Sequence, residues 1–496
     1  MAVAVLVLLS LFAHSNANEE AFDVRQHLST VTRYGVVKDV AGTSFVPSDV
    51  PSGCTPIHLN LVARHGTRNP TEKRIKELKK LEDRLKALLR EAEENKLSWL
   101  RSWKSPWKGK GGELIDKGEE ELYKLGIRIR EKFPNLFIED YHPDIYTINA
   151  TQIPRASASA VAFGMGLFSG NGSLGPGRHR AFAVTSESLA NDTVLRFHDC
   201  CQNYKNDKDS QKSRVKERLR RIFREISSAL VERYNLNFTE EDTSSLWFLC
   251  KQQASLLDIT DQACALFNSS EVDLLEWTDD VELFILKGYG KSINYQMGVP
   301  LLEDVVQSMD RTIQAREENH VEKARLRFAH AETVVPFLCL LGLFREGPDS
   351  QCSDLEEIQR NQSLECPPKP PEKRNWRGST VAPFAVNIAL VLYSCPANTS
   401  SEYFVQVLHN EHPIPMPGCN GSDFCAFEVF KERIVDPHLK NNYTTVCTAK
   451  LDKPKNHGTQ RINAQLQFLE GCKLLVNFFL AIRCISLLKV TIRSCQ

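Results

Sequence analysis

Apolar and polar residues alternate over a short stretch near the front of the chain, and the alternation ends at a cluster of cations. Ile57, Leu59, Leu61 and Ala63 are apolar at every second position, which predicts a short buried β-strand. The next residues, 64–70, are Arg-His-Gly-Thr-Arg-Asn-Pro. Because a strand end holds its loop rigidly, this loop is the first candidate functional site.

Helical spacing of apolar residues dominates the following part of the chain. It predicts amphipathic helices over 71–96 and 119–133, separated by an irregular, tryptophan-rich loop over 97–112. The middle of the chain is helical in pattern almost throughout. Helices over 213–234 and 301–315 are the clearest predictions there.

Further strands are predicted on both sides of this helical middle. They are expected over 146–153, 182–184, 325–329, 382–393 and 403–408, with a helix over 334–344. Strands at both ends of a chain with helices between them favour an α/β fold with one sheet and an α-helical insertion. We therefore expect an α/β core from residues 18–190 and 322–448, and an α-helical insertion at 191–321.

Charge and composition exclude several classes of function. The 496 residues carry 62 basic and 62 acidic side chains, so there is no general electrostatic case for nucleic acid and anion recognition must be local. No cluster with metal-ligand spacing occurs, so neither a metal nor a cofactor is expected. Gly290-Lys291-Ser292 resembles the end of a phosphate-binding P-loop, but Ile285 occupies the motif's first glycine position.

The front of the chain is typical of a secretory signal peptide. Residues 1–17 contain an apolar run too short for a membrane span and end in a small-x-small cleavage site; a frayed apolar N-terminus is the alternative. Nine Asn-x-Ser/Thr sequons and fifteen cysteines agree with a glycosylated, disulfide-bearing protein of the endomembrane lumen or the exterior. Short spacings favour bridges Cys250–Cys264 and Cys419–Cys425, and the odd count leaves at least one cysteine free or intermolecular.

The last part of the chain, 449–496, is predicted to be an atypical tail. Its apolar run over 474–488 is shorter than a membrane span and contains Arg483, which costs about 2.5 kcal/mol or more at mid-depth in a bilayer. No firm membrane anchor is expected, although a true anchor and a variant chain end are the alternatives. The final four residues carry no KDEL-type retrieval signal.

Two guanidiniums beside an imidazole suit the binding and attack of a phosphomonoester. Planar arginine forks match phosphate oxygens bidentately and stay charged, so Arg64 and Arg68 can hold a phosphate while neutral His65 attacks phosphorus. Gly66 lets the backbone approach the ligand. The alternative is a basic turn with a buried histidine, but the order strand–loop–helix favours a functional site.

The loop resembles the RHGxRxP signature of the histidine acid phosphatases, in the branch with a large α-helical insertion. His330-Ala331-Glu332 resembles that family's second signature, in the form found in the multiple inositol polyphosphate phosphatases. Arg155 matches the third phosphate-binding arginine, and residues 114–126 match the family's Gly-x-x-Glu helix. The segments 381–408 and 416–424 are similar to the plant-type enzymes, and the resemblance covers roughly residues 22–447.

The resemblance implies a histidine-phosphatase fold, with helices flanking a mixed central sheet, and hydrolysis of phosphomonoesters without a metal. His65 would be the nucleophile, and Glu332 would protonate the leaving alkoxide and later activate water. The phosphate would be held by Arg64, Arg68, Arg155 and His330. For Glu332 the alternative is an ordinary acid at a helix N-terminus, since most relatives keep the acid where Ala331 stands.

The resemblance further implies inositol polyphosphates, including phytate, as substrates. Their many charges require additional cations, and Lys73 and Arg74 are candidate substrate-binding residues, with solvated side chains as the alternative. Glu72 stands where many relatives carry a basic residue. The rival functions are a broad-specificity acid phosphatase of the same fold and a catalytically inactive, anion-binding relative. Nothing in the residues indicates an oligomeric state.

Overall fold

The structure is a computed structural model that describes residues 22–38, 45–88, 97–170, 172–315, 321–345, 374–396, 401–440 and 442–448. All of these residues belong to one compact unit that ends at Thr448. The predicted signal peptide over 1–17 and the predicted tail over 449–496 lie outside the described residues.

The described residues form one mixed sheet of seven strands. The strands are β1 (Thr55–Arg64), β2 (Tyr146–Ala150), β3 (Ala324–Ala329), β4 (Asn387–Ser394), β5 (Tyr403–His409), β6 (His412–Pro413) and β7 (Phe424–Ala426). Their order is β2-β3-β1-β4-β5-β6, with β7 paired to β5. Strands β2, β3 and β1 run parallel, and the remaining pairs are antiparallel. This confirms the predicted α/β class with a mixed central sheet flanked by helices.

The predicted strand over 182–184 is wrong. This segment has no regular strand, and only Thr185 bridges to Asn149 at the edge of β2. The apolar residue Phe182 instead lies against Gly164, where a Cβ would come within 2.4 Å of the Phe182 ring. The apolar character of the segment therefore comes from packing against a helix and not from a place in the sheet.

Eight longer helices occur in the described part of the chain. They are α1 (Glu72–Leu88), α2 (Asp116–Lys132), α3 (Pro154–Leu167), α4 (Gln202–Tyr234), α5 (Glu240–Gln252), α6 (Ser269–Lys287), α7 (Val299–Gln314) and α8 (Ala331–Leu340). Short helical turns, including 3₁₀ and π turns, lie at Val24–His27, Ser29–Val31, Tyr34–Val37, Ser98–Ser102, Pro134–Leu136, Phe197–Cys200, Gln253–Leu257, Cys264–Leu266, Ile293–Gln296, Gly378–Val381, Pro417–Cys419, Phe427–Phe430, Lys431–Val435, Asp436–Leu439 and Tyr443–Cys447. None of the helices in the described ranges combines the length and the apolar character that crossing a membrane requires.

Helix α4 begins at Gln202, well before the predicted start at 213. Between 202 and 212 only Tyr204 is buried, so no apolar stripe marks these turns in the sequence. In the same way, α2 begins at Asp116 instead of 119, and the tryptophan-rich loop contains the short helix Ser98–Ser102. The apolar pattern does not predict the first turns of α4 and α2, because these turns contribute little apolar surface.

Strand β1 contributes alternate residues to two apolar cores, one on each face of the sheet. Leu61 and Ala63 belong to the core under α2 and α3, whereas Val62 belongs to the core under α7 and α8. A third core joins α4, α5 and α6 and includes Leu78 and Leu85 of α1. Helix α1 thus packs with the helices of the segment 191–321, and the division into core and insertion remains a prediction.

Four disulfides are present in the described chain, two of them local and two between distant segments. The two short bridges expected from spacing, Cys250–Cys264 and Cys419–Cys425, are present. Cys54–Cys395 joins the start of β1 to the end of β4, and Cys201–Cys447 joins the start of α4 to the helix Tyr443–Cys447. Sequence spacing could not show the last two, because their partners lie 341 and 246 residues apart and meet only in the folded chain.

Candidate active site

Three parallel strands end at one edge of the sheet and bring three distant segments together. Arg64 at the end of β1 lies opposite Ala329 at the end of β3, and β2 pairs with β3 on its other side. The carboxyl ends of parallel strands form a crevice in which ligands bind. The loops that carry His65, Arg155 and His330 therefore start side by side.

Backbone contacts fix the loop that follows β1. The N–H of His65 donates to the Ala329 carbonyl at 3.0 Å, and the N–H of Gly66 donates to Ser159 Oγ at 3.1 Å. A Cβ at Gly66 would come within 2.2 Å of the carbonyl oxygen of Gly118 in α2. Any larger residue at position 66 would push the loop away from α2, so the close approach requires glycine.

His65 is held as a neutral imidazole with a free nitrogen. Its Nδ1 lies 2.9 Å from the Gly66 carbonyl oxygen, and because a carbonyl only accepts hydrogen bonds, Nδ1 carries the proton. Burial lowers the pKa of His65 well below its usual value, and the charge of Arg64 and the other site cations lowers it further. Nε2 therefore keeps its lone pair, which is the form that a nucleophile requires.

Arg64 is buried and anchored on one side. Its Nη1 donates to the carbonyls of Thr30 at 2.5 Å and Ala382 at 2.6 Å. The guanidinium carbon lies 4.5 Å from the centroid of the Phe384 ring, a cation–π contact. These contacts orient the guanidinium and leave the rest of its donor set available to a ligand.

Several buried nitrogen atoms around the loop have no hydrogen-bond partner among the described residues. They are the Nε–H donors of Arg64, Arg68 and Arg155 and the Nδ1 atoms of His330 and His198. Burial lowers the pKa of Arg64 to about 9 and that of Arg68 to about 10, so both stay charged at neutral pH. Buried donors are normally satisfied, and an anion with several oxygens supplies the acceptors that these groups lack.

His330 follows β3 directly and lies next to His65, with 5.4 Å between the ring centroids. Its Nε2 lies 3.2 Å from the hydroxyl of Thr151, the residue after β2. Burial, followed by the charge of Arg155, lowers the pKa of His330 well below its usual value. A neutral His330 that accepts from Thr151 at Nε2 carries its proton on Nδ1, where it can be donated to a ligand oxygen.

Glu332 lies in the first turn of α8 and is paired with a lysine from the helical part of the protein. Lys287 Nζ at the end of α6 is 2.9 Å from a Glu332 carboxylate oxygen. Burial by itself would raise the pKa of Glu332, but Lys287, His198 and His330 lower it well below its usual value. The Glu332 side chain is 31% exposed, so the residue lies at the wall of the site and not in the core.

The two additional cations predicted from the sequence have different surroundings. Arg74 forms an ion pair with Glu77 at 2.7 Å and lies over the Phe248 ring. Its charge also contributes to the lowered pKa of Arg68, so it lies near the site. Lys73 is exposed on α1. A substrate-binding role for either residue stays a prediction.

Other side chains at the site were not singled out from the sequence. Thr151 and Ser159 lie in the same sequence motif as Arg155, and their place in that motif could have indicated that they belong to the site. His198 and Lys287 come from the helical segment and belong to no recognisable motif. Glu121 is the acid of the Gly-x-x-Glu pattern, to which no role had been given.

Glu121 of α2 holds the loop that follows β1. Its carboxylate accepts from the backbone N–H of Thr67 at 2.8 Å, from the Thr67 hydroxyl at 2.9 Å and from the N–H of Tyr34 at 3.2 Å. Burial raises the pKa of Glu121, which these hydrogen bonds oppose. The residue therefore positions the loop that presents His65.

We expect Glu121→Gln to lower kcat for phosphomonoesters by about 10- to 100-fold, because small displacements of reacting groups cost rates of this order. The amide can satisfy only part of the hydrogen bonds that the carboxylate accepts. Glu120→Gln is the matched control, since Glu120 is an exposed neighbour paired with Lys124. Equal kcat values for both variants and the wild-type protein would exclude this positioning role.

Three side chains have the spacing of a metal site, but the guanidinium of an arginine already lies among them. His27, Asp273 and Glu276 bring one potential ligand atom each within 4.8 Å of one another. Arg377 Nη2, however, lies 3.3 Å from His27 Nδ1 and 2.8 Å from a Glu276 oxygen. The group is therefore an ion-pair network that connects the N-terminal segment to α6.

The chain matches known proteins over most of its length. Residues 57–410 match the histidine phosphatase superfamily (branch 2). The chain is 29% identical to multiple inositol polyphosphate phosphatase 1 of Dictyostelium discoideum, over 80% of this chain and 69% of the relative. It is 28% identical to the Gallus gallus protein of the same name, over 84% of this chain and 89% of the relative.

Solved structures share the fold at low sequence identity. The phytase from D. castellii superposes with a TM-score of 0.68 at 17% identity and covers 88% of this chain and 91% of its own. The Bifidobacterium longum multiple inositol polyphosphate phosphatase, solved in complex with inositol hexasulfate, gives 0.60 at 18% identity and covers 83% and 98%. The match over residues 57–410 shows that this chain is an enzyme of the histidine phosphatase superfamily, branch 2.

Proposed function

We propose that this enzyme hydrolyses inositol polyphosphates, including phytate and lower inositol phosphates, through a phosphohistidine formed on His65. The observation that carries the proposal is a neutral His65 with a free Nε2, set among three arginines whose buried Nε groups find no acceptor among the described residues. A phosphate group supplies those acceptors and an electrophilic phosphorus at the same place.

In the first half-reaction, the lone pair of His65 Nε2 forms a bond to phosphorus and the bond from phosphorus to the ester oxygen breaks. Arg64, Arg68 and Arg155 neutralise the charge on the phosphoryl oxygens, since this type of transition state depends mainly on positioning and electrostatics. Glu332 in its protonated form gives its proton to the departing oxygen. An inositol alkoxide is a poor leaving group, so this proton is needed.

In the second half-reaction, water attacks the phosphorus of the phosphohistidine. The Glu332 carboxylate takes a proton from that water, the bond between phosphorus and Nε2 breaks, and inorganic phosphate leaves. His65 returns to its neutral form, and Glu332 is again protonated. His330 donates from Nδ1 to a phosphoryl oxygen throughout, which adds one neutral hydrogen bond to the three guanidiniums.

Two kinds of support favour inositol polyphosphates over simpler esters. The relatives are named multiple inositol polyphosphate phosphatases, and the B. longum enzyme was solved with an inositol hexasulfate. This chain also has cations around the site in addition to the arginines proposed to bind the reacting phosphate. They are Lys287, Lys208 and Arg196, whose charges act on Glu332, His198 or His330. Additional cations around the reacting phosphate suit a substrate that carries more than one phosphate.

The test compares kcat/KM for inositol hexakisphosphate with kcat/KM for p-nitrophenyl phosphate. We expect the inositol phosphate to be preferred by about tenfold or more, since each tenfold preference needs only about 1.4 kcal/mol of additional binding in the transition state. A preference for p-nitrophenyl phosphate would indicate a broad acid phosphatase instead. A folded protein that hydrolyses neither ester would be an inactive, anion-binding relative.

The disulfides support maturation in the secretory pathway. Four bridges in the described residues are unusual for a cytosolic protein. Together with the signal-peptide pattern over 1–17 and the nine sequons, they favour a glycosylated enzyme of the endomembrane lumen or the exterior.

A further inference from the structure

The ion pair between Lys287 and Glu332 conflicts with the role of Glu332 as a proton donor. A general acid must carry its proton when the leaving group departs, yet the ammonium at 2.9 Å stabilises the ionised carboxylate. Given the proposed function of this site, Glu332 must therefore lose its contact with Lys287 before it can carry the proton.

Most charged groups around Glu332 are cations, and Asp199 is the neighbouring acid, since it acts on His198, Tyr204 and Lys208 together with Glu332. Lys287 of α6 and His198 of the helix Phe197–Cys200 act on its carboxylate, together with His330. The other groups whose interactions include this carboxylate are Lys208 and Tyr204 of α4, Arg155 of α3, and Arg64 and Arg68 of the loop after β1. Every cation in this set favours the ionised carboxylate, and Lys287 is the one in direct contact with it.

Lys287 is suited to exchange one anionic partner for another. It is the last residue of α6, its side chain is 23% exposed, and its four-carbon stem is flexible. A phosphate monoester offers three acceptor oxygens and close to two negative charges, so it competes well with a single carboxylate for an ammonium. Lys208 lies close to both Lys287 and Glu332, with its Nζ over the Tyr204 ring.

We propose that Lys287 is a substrate-responsive positioning residue, which holds the Glu332 carboxylate before substrate binds and then turns to a phosphate beside the reacting one. Glu332, released from the ammonium, takes up a proton from solvent and delivers it to the ester oxygen. A substrate with a second phosphate thus prepares its own general acid. A monoester without a neighbouring phosphate leaves Lys287 on Glu332 and is hydrolysed with less acid assistance.

The experiment uses the full chain with Lys287→Met and three substrates. Glycerol 2-phosphate has a poor leaving group and no second phosphate, inositol hexakisphosphate has a poor leaving group and several phosphates, and p-nitrophenyl phosphate has a good leaving group. The pH dependence of kcat/KM reports the groups of the free enzyme. Because Lys287 stabilises the carboxylate, its removal raises the pKa of Glu332, and protonated Glu332 persists to higher pH.

We therefore expect the alkaline limb of the glycerol 2-phosphate profile to move up by about one pH unit in Lys287→Met, as a loss of one close charge allows. The kcat/KM for inositol hexakisphosphate should fall by about tenfold or more, because a contact with its second phosphate is lost. Circular dichroism and a cooperative thermal unfolding transition like those of the wild type show that the variant is folded, and the initial burst of p-nitrophenol reports whether His65 still attacks phosphorus.

Two further variants serve as controls. Lys287→Arg keeps the positive charge and should retain the wild-type preference for inositol hexakisphosphate. Lys291→Met removes a neighbouring lysine that pairs with Asp207 and should leave all three substrates unaffected. Retention in Lys287→Met of either the wild-type pH profile or the wild-type preference contradicts the inference. A wild-type enzyme that hydrolyses p-nitrophenyl phosphate but not inositol hexakisphosphate contradicts the proposed function itself.

Discussion

Replacing His65 by alanine is expected to abolish phosphatase activity, with kcat lowered by about 10⁴- to 10⁶-fold, the scale observed when an enzyme loses its nucleophile. The neighbouring imidazole of His330 is held at Nε2 by the Thr151 hydroxyl, whereas His65 is held at Nδ1 and keeps the lone pair of Nε2 free for attack. The arginines remain in the variant, so we expect it to bind inositol hexakisphosphate with little loss. Steady-state kinetics and equilibrium binding of the same preparation measure both quantities.

The matched control for this variant is His142→Ala. His142 precedes β2, at the end of that strand opposite to the site, and its side chain is 52% exposed. Its replacement should leave kcat unchanged. Activity of the His65 variant within a factor of ten of the wild type would show that another group attacks phosphorus, and the phosphohistidine route would be abandoned.

Glu332→Gln is expected to lower kcat for inositol hexakisphosphate by about 10²- to 10⁴-fold, the range for loss of general acid–base catalysis. The amide keeps the shape of the side chain but has no proton to transfer, so substrate binding should persist. With p-nitrophenyl phosphate, the first half-reaction should be much less affected, because its leaving group departs without a proton. The size of the initial burst of p-nitrophenol separates the two half-reactions.

Glu428→Gln is a suitable control for the Glu332 variant. Glu428 also lies in the first turn of a helix and pairs with a lysine, Lys431, at 2.8 Å. If Glu332 were only an ordinary helix N-terminal acid, the two substitutions would have similarly small effects on turnover. A Glu332→Gln enzyme with wild-type kcat for inositol hexakisphosphate would move the proton donor to another residue.

Local patterns were sufficient to predict the longer strands of the sheet, but not its short strands β6 and β7. The alternation from Ile57 to Ala63 marked β1 because successive residues of the strand point to opposite faces of the sheet, and each face carries its own apolar core. The motifs that follow β1, β2 and β3 contain the side chains that the parallel strands bring together. A motif placed directly after a predicted strand therefore carried information about position as well as about chemistry.

Contacts that depend on the path of the chain could not be predicted in this way. Lys287 reaches Glu332 from the end of α6 and His198 from the four-residue helix Phe197–Cys200, and neither segment carries a recognisable motif. The bridge Cys54–Cys395 spans 341 residues and exists only because β1 and β4 are neighbours. Likewise, the first turns of α4 bury only Tyr204, and the start of this helix was set by packing that the sequence pattern does not record.

The central claim is the transfer of a phosphoryl group to His65, and a single-turnover quench tests it most directly. Enzyme in excess is mixed with inositol hexakisphosphate, denatured within the first turnover under alkaline conditions, digested and analysed by mass spectrometry. We expect a phosphoryl group on the peptide that contains His65, attached at Nε2, and none in the His65→Ala protein. Release of inorganic phosphate with no phosphorylated peptide at any time, or a phosphoryl group on another residue, would contradict the account.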